Sequence, residues 1–228
     1  MNAIERKTAI SLALIYATRM LGLFMILPVF AIYAENLDQV TPLLVGVAIG
    51  VYGLTQALFQ IPFGAWSDRV GRKPVIVIGL CIFLLGSIVA AASNSIYGVI
   101  IGRALQGMGA IASVIMALAS DLTREEHRTK VMAIIGASIG ASFMLALILG
   151  PILEGWFGVD GIFWLTALLA VLSIAILMLL IPTPMQTINH ATLDRATFRT
   201  VISDVHLLRL DLGVFILHMV LTLSLIHI

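Results

Sequence analysis

Charge is scarce in this sequence. Asp, Glu, Lys and Arg make up only 11% of its 228 residues, whereas roughly 25% is usual in soluble domains. The net charge is +1, so there is no broad basic field to attract nucleic acid, and no nucleic-acid partner is predicted. The single cysteine, Cys81, excludes an internal disulfide framework. The five histidines are scattered without metal-ligand spacing, so no metal site is predicted.

Apolar residues are abundant instead. They make up 61% of the chain, more than the roughly 45–50% of soluble domains. A membrane-spanning helix needs about 20 mostly apolar residues, and the sequence contains six such segments followed by the start of a seventh. These are Ile10–Ala34, Pro42–Trp66, Pro74–Ala92, Ile96–Ser120, Val131–Trp156, Ile162–Ile181 and, from near Leu210, a segment running to Ile228.

The predicted fold is therefore an all-α membrane protein that lies in a lipid bilayer. Residues 1–182 form a six-span bundle, residues 183–209 a cytoplasmic connector, and residues 210–228 the start of a second bundle. Within the connector, the spacing of apolar residues favours an amphipathic helix at the membrane surface. A solvated connector without a helix is the alternative.

The distribution of Lys and Arg predicts the orientation of the bundle. Basic residues precede the first span and follow the second, fourth and sixth spans. The alternate loops, 35–41, 93–95 and 157–161, contain no Lys or Arg. Because basic residues concentrate in cytoplasmic loops, the amino terminus is predicted to be cytoplasmic.

The densest charge lies in the stretch GAWSDRVGRKPV, residues 64–75, between the second and third spans. Asp68 and Arg72 are four residues apart and can form an ion pair if the second helix continues past Trp66. Gly71 permits a tight turn, and Pro74 suits the first turn of the third span. Topology alone explains the basic residues, but it does not explain Asp68.

This stretch resembles the signature loop of the major facilitator superfamily, G-x-x-x-D-R-x-G-R-[RK]. The matching residues are Gly64, Asp68, Arg69, Gly71, Arg72 and Lys73. RALQGMGA, residues 103–110, resembles the fourth-span motif of proton-coupled members. LGPILEG, residues 149–155, resembles the antiporter motif of the fifth span and keeps Gly150 and Pro151, although Ala137 and Ala146 stand where the family usually has glycine. The first four spans most resemble the YajR-type branch of the twelve-span drug/proton antiporters.

The resemblance implies the amino-terminal six-helix bundle of that fold, an inverted 3+3 repeat, in a bacterial inner membrane. It also implies a second six-span half as a partner. The signature loop would act as a conformational latch between the halves near the cytoplasmic face. In that latch Arg72 would bridge Asp68 and Asp121.

The same resemblance assigns coupling of transport to residues of the first and fourth spans. These are Arg19, Arg103, Gln106 and Gly107. A charged side chain inside a span is costly and usually functional. The alternative for Arg103 is a purely structural brace that donates hydrogen bonds to carbonyl groups. The alternatives for Arg19 are support of the first span against the fourth, or snorkelling toward the cytoplasm.

The candidate cavity residues are Tyr33, Tyr52, Gln56 and Phe143. No Asp or Glu lies deep within any of the six spans, so the group that would carry the proton is unassigned.

The predicted function is a secondary active transporter that exports small amphiphilic compounds or drugs in exchange for protons, by alternating access. The proton gradient would supply the energy, and no cofactor is expected. An importer of a metabolite and a non-transporting scaffold or remnant are the alternatives. An enzyme is not expected, because no catalytic constellation is present. The sequence resembles half of a facilitator, and it leaves open whether the chain is a fragment or a half-transporter that dimerises.

Overall fold

The computed structural model describes residues 1–34, 37–182 and 203–226, and nearly all of these residues are helical. The helices are α1 Ala3–Ala34, α2 Pro42–Val70, α3 Arg72–Ala91, α4 Ile96–Met108, α5 Ala112–Asp121, α6 Glu125–Leu180 and α7 Val205–Ile226. Five stretches in the described part of the chain are long and apolar enough to cross a membrane. The fifth stretch is the whole of α6, and it contains the fifth and sixth predicted spans.

The 56 residues of α6 form two arms rather than one rod. At about 1.5 Å per residue a straight helix of this length would be roughly 84 Å long, almost three times the thickness of the hydrocarbon core. Gly158 interrupts the helix with φ 67° and ψ 178°, a conformation that favours glycine. Residues from the start and the end of α6, Ile135 and Leu177, share one apolar cluster, so the arms run antiparallel.

The apolar core has three layers along the bundle. One layer joins residues from the beginnings of α1 and α3 with residues of α5 and both extremities of α6, including Leu12, Ile76 and Ile115. The layer at the opposite end contains Phe30, Ile96 and Phe163. Between them lies a small middle cluster of Tyr52, Phe83 and Ala170.

The predicted fourth span is divided into α4 and α5. Helical structure ends at Met108 and resumes at Ala112. Ala110 and Ile111, within the break, are fully buried. Irregular backbone at membrane depth is tolerated where protein encloses it, and here the glycines Gly107 and Gly109 lie beside it. The sequence pattern predicted a continuous span, because glycine inside an apolar run does not by itself end a membrane helix.

Loops tie the helices together at the end opposite the signature loop. The Asp38 amide donates to the Asn94 carbonyl at 3.2 Å, and the Ile96 amide donates to the Asp38 carbonyl at 3.4 Å. The Tyr33 hydroxyl donates to the Asp160 carboxylate. This end therefore joins the loops after α1, α3 and the first arm of α6.

The chain divides into two compact units, residues Met1–Met185 and Gln186–Ile228. The second unit contains α7, which begins at Val205 rather than near Leu210. Asp204 explains the earlier start, because its carboxylate accepts the His206 amide at 2.8 Å and so caps the first turn. Most of the amphipathic helix predicted for the connector falls on residues 183–202, which lie outside the described residues.

Candidate functional site

The signature loop is a turn of one residue. Helix α2 continues to Val70, Gly71 has φ 104°, and α3 begins at Arg72. This positive φ is open to glycine at little cost, and the Gly71 amide donates to the Ser67 carbonyl. The abrupt turn places Asp68 in the last turn of α2 and Arg72 at the start of α3.

Arg72 joins the ends of three helices. Its Nη1 lies 2.5 Å from Asp68 Oδ1, and its Nε donates to Asp121 Oδ2 at 3.1 Å. Asp121 is the last residue of α5. These are the two contacts that the family resemblance implied. Arg72 is 19% exposed, whereas Asp68 and Asp121 are about 40% exposed, so the pairs lie at a wet surface.

Two further contacts strengthen this junction, and the sequence analysis missed both. Arg72 Nη1 also donates to Ser67 Oγ at 2.6 Å. Lys73 Nζ donates to the carbonyl of Ile181, at the end of α6, at 2.7 Å. A cation at the carboxyl end of a helix is favoured by the helix dipole. A small polar residue beside Asp68 was the available signal for Ser67, whereas the contact of Lys73 is long-range and had no signal.

The other members of the predicted latch are placed less tightly. Arg69 is exposed. A side chain added at Gly64 would meet Ser113 Oγ at 3.6 Å, an ordinary van der Waals distance. Packing within this bundle therefore does not require glycine at position 64, and its part in the latch stays a prediction.

A close crossing of α3 and α4 brings the buried polar residues together. A Cβ atom added at Gly86 would lie 2.6 Å from the Gln106 amide nitrogen and from the Gly102 carbonyl oxygen. One added at Gly102 would lie 2.7 Å from Ala90. Paired small residues allow two membrane helices to approach this closely. At this crossing Ser87 comes within hydrogen-bond distance of Gln106.

Arg103 is held in a chain of buried hydrogen bonds. Its Nη1 donates to Gln106 Oε1 at 3.0 Å, and Gln106 Nε2 donates to Ser87 Oγ at 2.8 Å. The guanidinium also lies 4.8 Å from the ring centroid of Tyr52 and contacts the Ala48 carbonyl at 3.4 Å. Arg103 is 2% exposed and Gln106 is fully buried. Ser87 was missed by the sequence analysis, because a lone serine in an apolar span carries no distinguishing pattern.

Arg19 is also buried, but its side chain makes no hydrogen bond within the described chain. It is 3% exposed, and its guanidinium carbon lies 5.5 Å from the ring centroid of Phe83. None of its three side-chain nitrogens has a hydrogen-bond partner in the part of the chain that the structure describes. Because these nitrogens are enclosed, the snorkelling alternative for Arg19 is wrong.

The buried residues around Arg103 and Arg19 form a polar layer in the middle of the bundle. The break between α4 and α5 lies against this polar layer. A Cβ atom added at Gly109 would lie 3.2 Å from Phe83, the residue whose ring lies against the Arg19 guanidinium. One added at Gly107 would meet the Tyr52 carbonyl and the Thr55 hydroxyl. The glycines of the fourth-span motif therefore allow the broken helix to pack directly on α2 and α3.

The antiporter motif lies at a contact between α6 and α1. A Cβ atom added at Gly150 would lie 2.6 Å from the Met25 carbonyl oxygen and 3.2 Å from the ring of Pro28. Gly150 is buried, whereas Pro151 is exposed. This geometry gives Gly150 a packing role within the bundle.

The four predicted cavity residues have separate neighbours. Tyr52 and Gln56 lie one turn apart on α2, and the ring of Tyr52 lies against the Arg103 guanidinium. Phe143 packs edge-to-face against Phe24 at 5.1 Å between ring centroids. Tyr33 is bonded to Asp160 at the far end of the bundle. The structure therefore brings Tyr52 to the polar layer, and it places Phe143 and Tyr33 elsewhere.

A further ion pair, between Arg124 and Glu5, was missed by the sequence analysis. Arg124 donates from Nε to Glu5 Oε1 at 2.9 Å and from Nη2 to Glu5 Oε2 at 3.2 Å. Glu5 also accepts the amide of Asn2, whose side chain in turn accepts the Glu5 amide. The pair ties the first turn of α1 to the residue that precedes α6.

The fold and site together define a multi-pass membrane protein with a buried cationic layer and a charged junction of helix ends. Residues 12–227 match the family model of the Major Facilitator Superfamily, and the chain belongs to that superfamily. The six-helix arrangement of its first unit is the amino-terminal half of this fold, as the motifs predicted.

Named relatives agree with this assignment. The chain is 48% identical to the inner membrane transport protein YajR of Escherichia coli, over 95% of this chain and 48% of that protein. It is 32% identical to the class E tetracycline resistance protein of E. coli, over 50% of this chain and 27% of that one. A solved bacterial homologue of the human lysosomal transporter Spinster has a TM-score of 0.70 at 17% identity, covering 81% of this chain and 44% of that chain. The chain thus spans about half the length of YajR.

Proposed function

We propose that this chain forms the amino-terminal half of a secondary active transporter that exports small amphiphilic compounds in exchange for protons. The observation that carries the proposal is the buried Arg103–Gln106–Ser87 chain beside the break in the fourth span. An intramembrane charge is costly to retain, by about 2.5–3.5 kcal/mol on insertion scales. Discontinuous helices beside such residues are a recurring feature of transport sites.

The junction around Arg72 supports a conformational role for the signature loop. Arg72 links Asp68, Asp121 and Ser67, and Lys73 reaches the end of α6. In our proposal these contacts make the helix ends at this face move as one unit. The loop then holds this unit against the second six-span half in one state of the cycle and releases it in the other.

Proton-driven efflux is the direct test. The complete gene product is expressed in cells that lack their main efflux systems, and export of a fluorescent amphiphile is followed with and without an uncoupler. We expect export that stops when the proton gradient collapses. Gradient-driven accumulation of a metabolite would instead support the importer. Absence of any flux for a correctly inserted protein would support the non-transporting scaffold.

A further inference from the structure

Arg19 is a buried cation whose hydrogen-bonding groups are not satisfied by the bundle. Its Nε, Nη1 and Nη2 atoms have no partner among the described residues, at 3% exposure. A guanidinium stays charged and carries five N–H donors in one plane. Its contact with the Phe83 ring face is a cation–π interaction. That contact does not satisfy the in-plane donors, so Arg19 retains a strong requirement for an acceptor.

A second positive charge lies over another aromatic ring of the middle cluster. Tyr52 and Phe83 belong to the middle cluster, with Arg103 over the Tyr52 ring and Arg19 over the Phe83 ring. The acidic residues described in the bundle lie at or near the ends of the spans, away from this layer. They are Glu5, Asp38, Asp68, Asp121, Glu125, Glu126, Glu154 and Asp160. The described part of the middle layer is therefore cationic and contains no carboxylate.

Two neutral polar groups of α2 are also buried without a partner in the described chain. The Tyr52 hydroxyl is buried and also has no partner among the described residues, and the same holds for Gln56 Oε1 one turn further along α2. Tyr16, three residues before Arg19 on α1, is buried as well. A phenol hydroxyl can donate a hydrogen bond to an anion.

We propose that Arg19 and the Tyr52 hydroxyl bind an anionic group. This group is either the carboxylate or sulfonate of the transported compound or a free inorganic anion. Where it belongs to the transported compound, the inference rests on the proposed function and deepens it, because it names an organic acid as the substrate class.

Thermal unfolding of the complete gene product in detergent tests the site. Sodium benzoate, the neutral isostere benzamide and sodium chloride are each titrated into the same low-salt buffer, and the response of Arg19→Gln is the reference for general salt effects. We expect benzoate or chloride to raise the unfolding midpoint and benzamide to leave it unchanged. Arg19→Gln should abolish the shift and weaken the anion affinity at least tenfold. Arg6→Gln removes the same charge from an exposed position of α1 and should keep the wild-type response.

The outcomes separate the two sources of the anion. A shift with benzoate alone supports the acidic group of a transported compound, a shift with chloride alone supports an inorganic anion, and shifts with both support their shared chemistry. No shift in the wild-type protein, or equal shifts in wild type and Arg19→Gln, would overturn the proposal. The unfolding midpoint without added anion shows whether Arg19→Gln is folded. We expect it to be higher than that of wild type, because the substitution removes an unsatisfied charge. A lower midpoint would also overturn the proposal.

Anion binding and efflux fail independently. Anion stabilisation that depends on Arg19, in a protein without proton-driven export, would reject the proposed function and retain the anion site. Proton-driven export by a protein whose anion response is unchanged in Arg19→Gln would do the reverse.

Discussion

The carboxylates that pair with Arg72 contribute differently to stability and to function. Asp68 and Asp121 are about 40% exposed, and exposed ion pairs contribute only about 0–1 kcal/mol to stability because water and salt screen them. The arrangement nevertheless fixes the orientation of three helix ends. We therefore infer that these carboxylates matter more for the transport cycle than for folding.

Asp68→Asn tests this distinction. The substitution keeps the shape of the side chain and removes its charge, so we expect the unfolding midpoint to change little while the export rate falls severalfold. Export by the complete gene product and its thermal unfolding are the two measurements. Glu125→Gln is a suitable control, because Glu125 pairs with Arg128 at 3.4 Å on an exposed face without joining separate helices. Normal export by Asp68→Asn would contradict the latch.

At the scale of the helices, close backbone approach determines where the polar layer forms. Gly86 and Gly102 lie at the crossing of α3 and α4, which sets Ser87 against Gln106 and holds Arg103. These side chains reach one another because the backbones of α3 and α4 lie close together at the crossing. A small increase in the size of one glycine should therefore disturb the whole chain of hydrogen bonds.

Gly86→Ala should destabilise the bundle by about 1–3 kcal/mol, the usual cost of overpacking. Its Cβ atom would lie 2.6 Å from backbone atoms of α4, which cannot move aside without shifting the helix. Thermal unfolding measures the effect. Gly50→Ala is the matched control, because a Cβ atom there meets nothing within 4 Å. Equal midpoints for the two variants would show that the crossing is less tight than described.

The direction in which the helices cross the membrane is also open to measurement. The positive-inside pattern predicts a cytoplasmic amino terminus. In a Cys81→Ala background, Asn94→Cys should react with a membrane-impermeant maleimide added to intact cells whose outer membrane has been permeabilised. Lys130→Cys should react only after the inner membrane is broken. Both positions are exposed, so access is not limited by packing. The opposite labelling pattern would invert the topology.

The limits of sequence reasoning are clearest at this scale. Hydropathy located the spans, because a run of about 20 apolar residues has few other stable environments. The motif around Asp68 and Arg72 was local, and its pairing followed from the four-residue spacing. The break at Gly109, the Ser87 contact and the Glu5–Arg124 pair depend on helices that are distant in the chain. No local pattern carries that information, so these features required the structure.

At the scale of the whole molecule, several glycines of α2 and α6 have no neighbours within the described chain. Added side chains at Gly46, Gly50 and Gly53 of α2, and at Gly136 and Gly140 of α6, would meet nothing within 4 Å. Small residues allow close helix packing in membranes. We predict that the second six-span half packs against these glycines in the complete transporter.

Gly140→Trp is expected to stop export without unfolding the first bundle. The residue has open space in the structure described here, but an indole would prevent the second half from packing closely. Export and the amount of correctly inserted protein are measured together. Leu179→Trp is the control, because Leu179 is 80% exposed on the other arm of α6. Full export by Gly140→Trp would place the second half on a different side.

The chain of hydrogen bonds at Arg103 also has a consequence for biosynthesis. Arg103 donates to Ala48 in α2, which is translated earlier, and to Gln106, which is translated just after it. Gln106 in turn donates to Ser87 in α3, which is also translated earlier. The segment Ile96–Asp121 is less apolar than α3, which precedes it into the bilayer. A nascent fourth span can therefore enter beside helices that already hold the partners of its arginine. Arg19 enters with the first span, before Phe83 has been made, so the order of the helices along the chain is also an order of assembly.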